Sequence, residues 1–153
     1  ALPIYRFLGF MLGRKSKYEK RDYLKQFKIG KATYSESLIY EAYGGLQNDG
    51  IMLAVYYDVD AAKIIHQLDS WEKINDSPTI SSILKNVSSY FGLDFVIPEI
   101  ASGNFFLYDN SQHKELRSEA EMNTLLLHSE DVNFSLVVWD DEKHTIYIVE
   151  YRI

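Results

Sequence analysis

Apolar and polar positions alternate between two periods along this chain, and the switches between them outline its elements. Ile51 to Tyr57 (Ile-Met-Leu-Ala-Val-Tyr-Tyr) is an unbroken apolar run, the pattern of a strand covered on both faces. Before it, Thr33 to Tyr43 alternates in part and is rich in Tyr, Ser and Thr, which predicts a second strand. Gly44-Gly45 and Asn48-Asp49-Gly50 between them are turn signals, so the two runs are expected to form a hairpin with a longer loop. At the far end, Phe134 to Trp139 and Thr145 to Tyr151 flank an acidic turn, Asp140-Asp141-Glu142-Lys143, and predict a second hairpin. Both of its strands carry apolar groups on both faces. One face is expected to meet helix and the other to meet something else. Asn104 to Asp109, and a shorter run at Phe95 to Ile97, read as further strands.

Three segments between the hairpins repeat at helical spacing. Asp60 is placed to cap a helix whose stripe holds Ala61, Ile64, Ile65, Leu68 and Trp71. Ser77-Pro78 is an N-cap followed by proline at the first helical position. Behind it Ile80, Ile83, Leu84, Val87, Tyr90 and Phe91 form a stripe that Gly92 should end. Ser118-Glu119-Ala120-Glu121 has the spacing of a capping box and introduces a helix with Met122, Leu125 and Leu126 on its buried side. A fourth helix is expected within Lys15 to Ile29, where Tyr23 and Phe27 are four apart and Gly30 would stop it. Leu2 to Leu12 fits either a strand or the start of a helix.

Strand pairs joined by turns, with helices between them, predict an α+β fold. The expected sheet is mostly antiparallel, of about five strands, with three to four helices packed on one side. With no internal repeat, linker or low-complexity stretch, residues 1–153 read as a single domain.

Composition narrows the chemistry. Cysteine is absent, which excludes disulfides, thiolate catalysis and cysteine-ligated metal, and is compatible with the expected cytoplasmic location. No run reaches the roughly 20 apolar residues of a membrane span. Leu2 to Leu12 is interrupted by Arg6, and it lacks the basic and small-residue flanks of a signal peptide. The formal charge of −6 conceals a division. Residues 1–31 set nine Lys and Arg against Glu19 and Asp22, giving +7; the remaining seven basic and 20 acidic residues give −13.

Three functional readings follow. The acidic body predicts a surface that attracts a cationic protein partner. Trp139 with Asp140, Asp141 and Glu142 is the expected contact, and Asp58, Asp60 and Glu72 form a second acidic group. In size, acidity, aromatic content and lack of catalytic motifs the chain is similar in character to bacterial immunity proteins that neutralise a toxic nuclease. That similarity implies a stoichiometric inhibitor of a basic toxin or enzyme; the −13 of the acidic body would repel nucleic acid, and no direct contact with it is expected. It covers no alignable motif and transfers no residues. The second reading is a metal-dependent hydrolase built on His113, Glu115, His128 and Glu130 with Asp131 adjacent, although the spacing matches no helix-borne metal motif. The third is a peripheral membrane or scaffold module using the basic, aromatic residues 2–31. No nucleophile elbow, phosphate loop or dinucleotide fingerprint is present, and no cofactor is expected.

Overall fold

The structure, a computed structural model, describes residues 23–44, 49–75, 77–93, 97, 99–127 and 132–152. The expectations for residues 2–12 and 15–22, for Gly45 and Asn48, for Phe95 and Val96, and for His128, Glu130 and Asp131 lie outside the described residues.

Among the described residues the fold is α+β: a seven-stranded antiparallel sheet with four helices packed against it. The strands are β1 (Glu36–Gly44), β2 (Asp49–Tyr57), β3 (Glu72–Lys73), β4 (Gly103–Asp109), β5 (Lys114–Leu116), β6 (Asn133–Asp140) and β7 (Thr145–Arg152). They are ordered β1-β2-β7-β6-β4-β3, and β5 pairs β4 beside β3. The helices are α1 (Tyr23–Gln26), α2 (Ile65–Leu68), α3 (Pro78–Tyr90) and α4 (Glu119–Leu127). Both expected hairpins form, and the last strand joins them, pairing β2 of the first hairpin on one side and β6, its own hairpin partner, on the other. The added strands β3 and β5 are two and three residues long, too short to leave a periodic signature.

Central position explains the composition of β2, β6 and β7. Ile51, Leu53 and Val55 face one core with Leu136, Val138, Tyr147 and Val149, while Met52, Ala54 and Tyr56 face another with Val137, Trp139, Ile146 and Ile148. The first core is closed by Ile80, Ile83, Leu84, Val87 and Phe91 of α3 and its C-terminus, and by Met122 of α4. The second is closed by Tyr23, Leu24, Ile29 and Ala32 around α1, and by Val59, Ile64 and Leu68 near α2. The expectation of helices on one side is therefore corrected. The chain's own short segments cover the second face, because strands apolar on both sides demand cover on both.

Local chemistry sets the helix ends. Ser77 accepts from the Ile80 amide at 3.3 Å, Pro78 occupies the first turn, and α3 closes where Gly92 takes φ 58°. There Leu93 N–H reaches Ser88 O and Gly92 N–H reaches Ser89 O, a Schellman closure. Tyr90, expected on the buried stripe, is exposed. In α4 both arms of the capping box form: Glu121 N–H to Ser118 Oγ at 3.2 Å, and Ser118 N–H to Glu121 Oε1 at 3.3 Å. Leu126 of this helix is exposed rather than buried. The helix expected after Asp60 is split into a 3-10 turn, Ala61–Lys63, and the four-residue α2. Its start is tied down at both sides, since Val59 and Asp60 amides donate to His144 and Thr33 carbonyls. Only Ile64 and Leu68 of the predicted stripe are fully buried. The turn that closes α1 takes its positive φ at Lys28 (64°) rather than at Gly30, through Ile29 N–H to Leu24 O and Lys28 N–H to Lys25 O.

Candidate protein-binding surface at one end of the sheet

The register brings the start of β1, the end of β2, the start of β7, the end of β6 and the start of β4 to one end of the sheet. Four backbone hydrogen bonds stitch the loops there. Ser35 N–H donates to Tyr57 O at 3.0 Å, Asp60 N–H to Thr33 O at 3.0 Å, Val59 N–H to His144 O at 2.8 Å, and Asp141 N–H to Ser102 O at 3.0 Å. Loops held to one another in this way present their side chains from a fixed frame, the condition for contacts that cost little ordering on binding.

The structure divides the residues singled out in the sequence. Trp139 is 1% exposed and belongs to the second core; its ring lies 5.7 Å from that of His144, and its indole N–H donates to Asp141 Oδ1 at 3.3 Å. Asp140 is 3% exposed, and its Oδ1 accepts the Glu142 and Lys143 amides at 3.0 and 3.1 Å. These two residues build the turn and the core beneath it. What the hairpin shows to solvent is Asp141, Glu142, Lys143 and His144.

Asp58 and Asp60 are exposed and stand beside this hairpin through the Val59–His144 bond. Asp58 adopts φ 52° and accepts the Ser35 hydroxyl. Asp60 caps the 3-10 turn by accepting from Ala62 N–H at 3.1 Å. The two acidic groups thus meet, with Glu72 apart from them. Glu72 lies on β3 at the far edge of the sheet and is ion-paired with Arg117 at 2.7 Å. The same guanidinium binds Glu115, and the two carboxylates hold it charged. Lys114 pairs with Glu121 at 3.2 Å and, with the capping bonds, holds that carboxyl below its ordinary range. Cations also reach the stitched end: Lys143 lies in the turn, and Lys31 and Lys63 flank the two loops in sequence.

Tyr34 is the residue that sequence reasoning missed. It sits between Thr33 and Ser35, the two residues bonded to the 57–60 segment, and is 44% exposed. Its ring stands edge-on to Tyr56, centroids 4.9 Å apart. Tyr34 falls in the run read as a strand, and nothing in that alternation distinguishes it from its neighbours. Only the bend at the sheet end turns it outward.

The other concavities offer different chemistry. A groove of about 310 Å³ is lined by Ile83, Asn86, Val87, Leu126, Val132, Phe134 and Tyr151 and is largely apolar. A second, of about 260 Å³, lies between β3 and the starts of α3 and α4. Its carboxylates are engaged: Glu119 accepts the hydroxyls of Ser77 and Thr79, and Glu72 holds Arg117. Among the described residues no three His, Asp or Glu side chains converge as metal ligands. His113 ends the β4–β5 turn at φ 54°, and Glu115 is bound to Arg117. Among the described residues no helix is long and apolar enough to cross a membrane.

No family model, curated protein or solved structure matches this chain, so its own residues carry the functional argument.

Proposed function

We propose that this chain is a protein-binding inhibitor that occupies a cationic partner, of the kind represented by a basic toxin or nuclease, at the stitched end of the sheet. The observation that carries this reading is the exposed Tyr34 ring held in the same frame as the exposed carboxylates of Asp58, Asp60, Asp141 and Glu142. A tyrosine fixed at the surface supplies contact area with little entropy to lose, and carboxylates around it favour a cationic partner and speed encounter. Trp139 and Asp140 act from below: the indole N–H orients Asp141, and the Asp140 carboxylate shapes the turn that displays Glu142.

The test begins with affinity capture from the native source, using the full chain as bait, and continues with association kinetics against the captured partner. Asp141→Lys with Glu142→Lys should slow association several-fold and flatten its salt dependence. Tyr34→Ala should chiefly speed dissociation, because it removes contact area and leaves the charges in place. Unchanged rates in both variants would remove this surface from the model of binding. Asp140 is left intact in these variants because it is part of the fold.

A further inference from the structure

β5 and α4 are held to the domain by little apolar surface. Of residues 114–125 only Leu116 and Met122 are buried, and Leu125 is half-buried. α3, by contrast, buries six side chains in 13 residues. Buried apolar area is the main term that keeps an element seated on its neighbours, so this segment belongs to the weakly held part of the fold.

Its remaining attachments are polar. β5 pairs β4 over three residues, from Leu107↔Leu116 to Asp109↔Lys114. Arg117 binds Glu72 of β3 at 2.7 Å, with the two side chains 53% and 39% exposed. Glu119 accepts the hydroxyls of Ser77 and Thr79 at the start of α3, and Thr79 Oγ1 stands 3.1 Å from Asn123 Oδ1. Other contacts lie within the segment and join β5 to α4. Lys114 binds Glu121 at 3.2 Å, Arg117 binds Glu115, and Ser118 with Glu121 forms the capping box. These inner links keep the segment in one shape when its outer ties part. It also starts from a fixed point: His113 ends the preceding turn at φ 54°, and Asp109 holds the amides of that turn.

We propose that residues 114–125 are a latched strap, which lifts from the domain as one piece while β2, β7 and β6 stay folded. The Arg117–Glu72 pair is the latch. Both side chains are exposed enough for salt to screen the pair, which makes opening sensitive to ionic strength. Opening uncovers the main-chain groups of β4 at Leu107–Asp109 that β5 pairs in the closed form. The strap is independent of the partner proposed above.

The experiment is hydrogen exchange of the full chain, read by NMR at low and high salt and over sub-denaturing urea. Hydrogen-bonded amides of β5 and of α4 through Leu125 should exchange together. Their rates should be at least about tenfold above those of β6 and β7, with a shallower urea dependence. Raising the salt should speed the strap alone by about two- to fivefold. Arg117→Gln should give that acceleration at low salt and remove most of the salt effect. Glu142→Gln, a charge change of the same size at the stitched end, should do neither. Any of three results overturns the proposal: strap amides with the rate and urea slope of β6 and β7, separate rates for β5 and α4, or strap exchange that ignores either salt or Arg117→Gln.

Discussion

Val59 N–H donates to the carbonyl of His144 at 2.8 Å, and this bond joins two loops separated by most of the chain. It lies between Asp58 and Asp60 on one side and reaches the last residue of the Asp140–Thr145 turn before β7 on the other. Both residues at the junction that leave the usual backbone region, Asp58 (φ 52°) and His144 (φ 48°), are of types that tolerate it better than most. The candidate surface thus has a backbone cause.

The β6–β7 turn is one of a pair. Asp109 Oδ1 accepts the Ser111 and Gln112 amides at 2.9 and 3.1 Å, and His113 closes that turn at φ 54°, just as Asp140 and His144 do in the other. Asp109 and Asp140 stand at opposite ends of the β4–β6 ladder, and both are buried. Replacing either by Ala strands two amides, so each substitution should cost about 1–2 kcal/mol. Asn at the same position keeps an acceptor and should cost less. Distant sites add, so urea unfolding of Asp109→Ala with Asp140→Ala should give nearly the sum of the two single losses. A strongly sub-additive result would mean the two turns are not independent.

Gly103 meets β6 where the sheet is tightest. A Cβ at this position would lie 1.8 Å from the Trp139 carbonyl oxygen, which no rotamer change relieves because the contact is backbone to backbone. Gly103→Ala should therefore displace β4 from β6 and destabilise the domain by about 3 kcal/mol or more, in the range of severe single changes. Thermal unfolding would check this. A melting temperature within a degree or two of the wild type, a shift worth at most about 1 kcal/mol in a chain of this length, would contradict the close approach.

Alkaline stability should depend on Tyr147. Burial, and then the nearby charge of Asp140, pushes its phenol far above the ordinary value; Tyr57 is raised in the same way by burial, with Tyr40 and Glu36 contributing. The unfolded chain releases the phenol proton near pH 10, while the folded chain keeps it. The contribution is thus fully present below about pH 10 and is lost as pH rises through the folded value. Tyr147→Phe should flatten the decline in the urea midpoint above pH 10 relative to the wild type. An identical decline in both proteins would show that this phenol is not what resists ionisation.

Much of this architecture could be read in the residues. Ser77-Pro78, Gly92 and the Ser118/Glu121 pair act through bonds that span only a few positions, and each does in the structure what its spacing announces. Asp60 caps as expected, yet the helix behind it breaks at Ile64, whose backbone (φ −121°, ψ 0°) leaves the helical region. β3 and β5 exist only as partners of β4, and a strand of two or three residues has no periodicity of its own to detect. The acidic hairpin was visible as composition, but composition could not say that Trp139 points inward and Asp141 outward.

By itself, then, the order of residues determined the α+β class, the two hairpins and the capped ends of α3 and α4, since these depend on period, turn chemistry and contacts within a few residues. Tertiary structure alone decided that β7 enters between β2 and β6, that the second face is covered by the chain's own segments, and that Asp58, Asp60, Asp141 and Glu142 share one end with Tyr34. The physical reason is range. Each of these outcomes is fixed by pairing between residues far apart in sequence, and a side chain's exposure is set by what such pairing places above it.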